Sequence, residues 1–137
     1  DYLTPNLWEL GHLTGAPIED LASAAAAARQ LGKPAVITSA PTRSGETGVL
    51  FVDADAATLF AHPKLPKAPN GTGDLVTASF GAGLVEGLTP LAAAERAARA
   101  AAEAVSAAQD WRAPELPIVA LGPRLVRPSA QMRIERL

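Results

Sequence analysis

The sequence predicts a layered α/β fold, and two observations carry that expectation. Alanine-rich segments with helix punctuation alternate with short apolar runs bounded by breakers, as helices interleaved with strands require. Hydrophobic residues make up 48% of the 137 positions, which excludes a disordered chain and leaves enough apolar surface for a core. No internal repeat is evident, and the alanine richness is helix composition rather than low complexity.

The elements follow in order. Residues 1–4 read as the tail of a strand. Pro5 suits a helix start, because its missing N–H would be unpaired there anyway. Leu7, Trp8, Leu10 and Leu13 then form a short amphipathic helix, with Leu7, Leu10 and Leu13 turned to the core and Thr14-Gly15 ending it. Pro17 opens a second helix with Glu19 and Asp20 in its first turn; it runs to Leu31, where Gly32 and Pro34 stop it. Ala35–Thr38 is a buried strand, and Thr47–Val52 and Thr58–His62 form an antiparallel hairpin. A proline-rich loop covers 63–69. A helix from Asp74 to about Gly87 is apolar nearly all round and is expected to be central and buried. Thr89 caps the next helix, Pro90 starts it and it reaches about Gln109, with Glu95, Arg99 and Glu103 at i, i+4 steps on a solvated face. Pro117–Leu121 reads as a last short strand.

Bulk properties remove several functions. The net charge is −2 and the twelve Lys and Arg are scattered, so the basic stripe that nucleic acid demands is missing. No cysteine is present, which excludes disulfides, thiolate zinc sites and cysteine nucleophiles. No stretch is long and apolar enough to cross a membrane: the run Leu21–Ala28 is short and mostly alanine. A cytoplasmic location fits these features. The chain opens with Asp1 and enters a strand end almost at once, so it is expected to be the C-terminal part of a longer protein.

The turn Asn70-Gly71-Thr72-Gly73-Asp74 precedes a helix directly. Glycines let a ligand approach the main chain, and the first N–H groups of a helix are unpaired and carry partial positive charge. Gly71, Thr72 and Gly73 can therefore form an anion hole for a phosphate, and Asp74 can accept the proton of an attacking hydroxyl. In isolation the plainer reading, a glycine-rich turn with an aspartate complementing the helix dipole, would win, because such turns are common. Three companions bear on the choice. Asn6 and Glu9 share a helix face at i, i+3 and offer hard oxygen ligands to Mg²⁺, directly or through water; a first-turn asparagine with a solvated glutamate is the plainer alternative. Thr38 and Ser39 sit at the carboxyl end of a buried strand, where α/β sheets collect ligands, and their hydroxyls can donate to phosphate. His62, Pro63, Lys64 and Leu65 can wall an adenine pocket, or simply be solvated loop. Trp8, Trp111 and Arg43 are assigned to packing or surface.

Taken in order, Thr4-Pro5-Asn6-Leu7-Trp8-Glu9-Leu10, Val36-Ile37-Thr38-Ser39 and Asn70-Gly71-Thr72-Gly73-Asp74 resemble the ribokinase-like superfamily and, within it, the pyridoxal kinases. The tail Glu115–Ala120 through Arg127-Pro128 is similar to the C-terminal segment of the bacterial members. The resemblance implies the C-terminal portion of a ribokinase-like α/β/α fold across residues 1–137. It implies ATP-dependent phosphorylation of the 5′-hydroxymethyl group of pyridoxal, with Mg²⁺, a monovalent cation left open, and a homodimer when complete. Asp74 matches the general base that meets the substrate, and Gly71, Thr72 and Gly73 the anion hole. Asn6 and Glu9 match the Asn-x-x-Glu element that organises Mg²⁺. Thr4, Thr38 and Ser39 match nucleotide-contacting positions, and His62 to Leu65 falls on the adenine-lining stretch. Hydroxymethylpyrimidine kinases share the first segment but commonly carry cysteine where Asp74 stands; sugar kinases resemble that segment less. Those two activities, and a nucleotide-binding fragment without turnover, are the alternatives.

Overall fold

The computed structural model describes residues 1–137, which divide into two compact units: Asp1–Pro63 with Arg133–Leu137, and Lys64–Met132.

The first unit begins with a strand-like stretch in which Leu3 bridges Ala35 and Asn6 bridges Thr38, both parallel. Helix α1, Leu7–Thr14, is set by its ends. Asn6 is the N-cap, and Gly15 takes the left-handed conformation (φ 65°) that closes a helix with little strain. Only Leu10 is fully buried; Leu13 is 64% exposed and Trp8 75%, so the core face is narrower than the spacing predicts. Helix α2 is Leu21–Gln30 and not a helix from Pro17. Asp20 accepts from Ser23 N–H at 2.8 Å and Ser23 Oγ accepts from Asp20 N–H at 3.0 Å. This reciprocal cap places Asp20 outside the helix and overrides the proline signal.

Strands β1 (Ala35–Thr38), β2 (Glu46–Val52), β3 (Ala57–Pro63) and β4 (Arg133–Arg136) form one antiparallel sheet in that order. The β2–β3 turn is held by Asp53, whose Oδ1 accepts from the N–H groups of Asp55 and Ala56. Leu10, Ala24, Ala28, Ile37, Leu50 and Leu59 form the core where α1 and α2 cover one sheet face. Sequence reasoning missed β4. Its pattern Arg-Ile-Glu-Arg has one apolar residue and reads as charged tail, as edge strands often do.

The second unit contains α3 (Thr72–Val85), α4 (Pro90–Asp110), α5 (Ile118–Leu121) and a 3₁₀ turn at Gly122–Leu125. Thr89 caps α4 by accepting from Ala92 N–H, and Pro90 starts it. The expectation of a fully buried α3 is corrected. Leu75, Val76, Phe80 and Gly83 are buried, whereas Ala78, Ala82 and Val85 are exposed. Glu103 is not on a solvated face either: it is buried, accepts from Arg124 Nε and from Ser129 N–H, and so ties the following segment to α4. Pro117–Leu121 is a helical turn rather than a strand. Short apolar runs do not distinguish the two, and one turn suffices to bury Leu121 against Leu75, Ala104 and Ala107 while Ile118 and Val119 stay exposed.

Helices α3 and α4 meet at a glycine. A Cβ on Gly83 would lie 2.9 Å from Ala93 Cβ, whereas one on Gly81 meets nothing within 4 Å. Gly83→Val is therefore expected to lower stability by about 1–3 kcal/mol through overpacking. Gly81→Ala should raise it by about 0.5–1 kcal/mol through helix propensity. Urea unfolding of the two variants checks the contrast.

Candidate active site

In the second unit, Gly71 is the N-cap of α3 with φ 92°, a left-handed conformation that favours glycine. No side chain caps this helix end. The first helical bond runs from Leu75 N–H to Gly71 O at 3.0 Å, so the N–H groups of Thr72, Gly73 and Asp74 precede it and have no acceptor within the helix. They lie at the positive end of the dipole, the arrangement that receives a phosphate. Asp74 is in the first turn, exposed, with no hydrogen bond or ion pair committing its carboxylate. Lys64 is exposed and Leu65 half-buried, both ahead of this turn.

In the first unit, Asn6 and Thr38 are brought together by their parallel bridge, and Thr38 N–H donates to Pro5 O at 3.0 Å. Ser39 follows with φ 55°, strained for a residue with a side chain. Its hydroxyl is exposed and uncommitted. Asn6 and Ser39 line one open cleft of about 760 Å³. Thr4 and Glu9 line another of about 390 Å³. Trp8 and His12 border both, their rings stacked 5.4 Å apart and within 8° of parallel. Trp8, assigned from the sequence to packing or surface, is exposed and stands at the rim of both clefts.

Asn6 and Glu9 are also each other's partners. Glu9 N–H donates to Asn6 Oδ1 and Asn6 N–H to Glu9 Oε2, each at 2.8 Å. This capping box gives the pair a structural role at the start of α1 and fixes where the glutamate points. Glu9 Oε1 is outside that exchange. No three His, Asp or Glu side chains converge into a cation cage.

His62 and Pro63 close β3, opposite Thr47 and Glu46 of β2. His62 Nδ1 lies 3.0 Å from Pro63 O, a carbonyl that can only accept, so Nδ1 carries the proton. Burial pushes the His62 pKa below its ordinary 6.5. The Arg133 guanidinium, bonded to Glu46, holds that carboxyl below its usual 4.5. In both cases the unfolded chain binds protons more readily than the folded one. The stability these groups contribute is thus present at neutral pH and lost on acidification. The loss begins for His62 below about pH 6.5 and for Glu46 below about 4.5. Thermal midpoints measured between pH 7.5 and 4 should fall throughout, and His62→Gln should flatten the upper limb.

The comparisons with known proteins agree with this architecture. Residues 1–113 match the pfkB family carbohydrate kinase, and the chain belongs to that family, with its ribokinase-like α/β fold. Among its relatives, a pyridoxine/pyridoxal/pyridoxamine kinase of Bordetella avium is 38% identical over 111 residues, 76% of this chain and 38% of that protein. A pyridoxal kinase PdxY of Pasteurella multocida is 30% identical over the whole chain and 51% of its own length. A pyridoxal kinase from Leishmania donovani in complex with ADP superposes with a TM-score of 0.83 at 25% identity, covering all of this chain and 51% of that one. The chain thus spans about half the length, or less, of the relatives it matches. No helix is long and apolar enough to cross a membrane.

Proposed function

We propose that these 137 residues are the C-terminal, nucleotide-binding and catalytic part of a vitamin B6 kinase, which phosphorylates the 5′-hydroxymethyl group of pyridoxal with ATP. One observation carries the reading: the uncapped N-terminus of α3, with Gly71 left-handed and an uncommitted Asp74 in its first turn. The named relatives, kinases for pyridoxal and its vitamers, support the substrate.

The chemistry follows from the residues. Asp74 accepts the proton of the substrate hydroxyl as its oxygen attacks the γ-phosphorus, and the bond to the leaving ADP oxygen breaks. The N–H groups of Thr72, Gly73 and Asp74 stabilise the charge spread over the phosphate oxygens. Thr4, Thr38 and Ser39 contact the nucleotide, and His62, Pro63, Lys64 and Leu65 line its base. Mg²⁺ supplies charge neutralisation between the phosphates. Such an ion is commonly held by one or two carboxylates together with water; Glu9, whose position Asn6 fixes, would be the residue to hold it, with the Asn6 amide oxygen in support. The complete enzyme is taken to be cytoplasmic and homodimeric.

A second reading rests on the family description, carbohydrate kinase, which favours a sugar hydroxyl. A coupled assay of the complete enzyme against pyridoxal, hydroxymethylpyrimidine and ribose separates the readings. Turnover of pyridoxal is expected, and turnover of another substrate without it would reverse the assignment. The 137-residue chain alone should bind ADP without turning over substrate; measured phosphorylation by it would refute the partial-enzyme reading.

A further inference from the structure

The β3–β4 ladder stops at Ala61 opposite Arg133, so His62 and Pro63 pair with β2 alone, facing Thr47 and Glu46. Pro63 has no N–H to add to that pairing. Arg133 compensates from β4. Its Nε donates to Glu46 Oε1 at 3.2 Å and its Nη2 to Glu46 Oε2 at 2.6 Å, while Nη1 donates to Glu135. All three guanidinium nitrogens are committed, in the bidentate fork that gives arginine its directional hold on a carboxylate. The grip joins β2 to β4 at the residue facing Pro63, where β3 ends and the stretch assigned to the base begins.

We propose that Arg133 is a positioning residue for the nucleotide base: by clamping Glu46 it fixes the direction in which β3 delivers His62 and Pro63 to the base wall. The proposal rests on the nucleotide reading given above. It makes a separable claim, because the phosphate donors at Gly71–Asp74 belong to a different element. The clamp should govern affinity for a base-bearing ligand and leave affinity for bare phosphates untouched.

The test uses the complete enzyme with two probes, ADP and inorganic tripolyphosphate, titrated by calorimetry. Arg133→Gln should weaken ADP about tenfold or more, as misplacement of a positioning contact does, with tripolyphosphate unchanged. Arg133→Lys keeps the charge but not the fork and should fall between wild type and Arg133→Gln. Glu46→Gln should reproduce Arg133→Gln. Circular dichroism establishes that each variant is folded; if Arg133→Gln is not, the ratio of the two affinities in Arg133→Lys decides. Unchanged ADP affinity in a folded variant, or equal loss of both ligands, overturns the clamp. Failure of the wild-type enzyme to bind ADP at all overturns instead the nucleotide reading beneath it.

Discussion

Replacing Asp74 by asparagine in the complete enzyme is expected to lower kcat by about 10²–10⁴, the range for losing a general base, while ADP affinity stays within a few-fold. The asparagine preserves the size of the side chain and the start of α3, so the uncapped N–H groups at residues 72–74 remain in place. Only the proton acceptor is lost. The Asp74 carboxylate is uncommitted, with no cap, ion pair or hydrogen bond holding it, unlike Asp20 at the start of α2. Steady-state kinetics with a parallel ADP titration check both halves. Turnover near wild type would remove Asp74 from the chemistry, and lost ADP binding would make it a structural residue of the turn.

The largest stability effect is expected at Leu50. It is fully buried at the centre of β2, opposite Ile37 and Leu59, in the core beneath α1 and α2. Leu50→Ala should cost about 2–5 kcal/mol, the lost transfer energy plus the cavity that a sheet and two capped helices cannot collapse to fill. That is a large part of the 5–15 kcal/mol typical of a domain, so the variant should unfold at much lower urea. A change below about 1 kcal/mol would mean that this core is loosely packed.

The same core explains how much of the fold was legible. β1, β2 and β3 lie within a residue or two of their expected bounds, because compact apolar runs between breakers have few other ways to be buried. α4 was equally clear, since Thr89-Pro90 marks its start. The starts of α1 and α2 are set by the reciprocal caps Asn6–Glu9 and Asp20–Ser23, which outweigh the proline signals at Pro5 and Pro17. Pro17 announced a helix that Asp20 and Ser23 begin later. β4 and α5 went wrong for a shared reason: each is one short segment whose state depends on a distant partner. β3 makes Arg133–Arg136 a strand, and the Leu75–Ala104–Ala107 pocket makes Ile118–Leu121 a turn of helix.

The apolar remainder of α1 is informative too. Leu3, Trp8 and Leu13 are exposed beside the strand-like stretch at residues 3–5, leaving an apolar patch on this side of the first unit. This surface should make the isolated chain prone to associate. Light scattering over a range of concentrations would register that, and a strictly monomeric chain would argue against it.

The candidate residues divide in the same way. Residue order alone singled out the glycine turn, Asp74, the Asn6–Glu9 spacing and Thr38-Ser39, because each is a local pattern: a helix start, an i, i+3 face, a strand end. The Arg133–Glu46 clamp, the burial of Glu103 by Arg124 and the strained backbone of Ser39 came only with folding. Arg133 and Glu46 are 87 residues apart and carry no pattern relating them, so only the pairing of β4 with β3 brings the two charges within bonding distance. Local geometry depends on adjacent residues and can be read from them. Long-range partnership depends on which surfaces are left to bury, and that is decided when the sheet closes over its core.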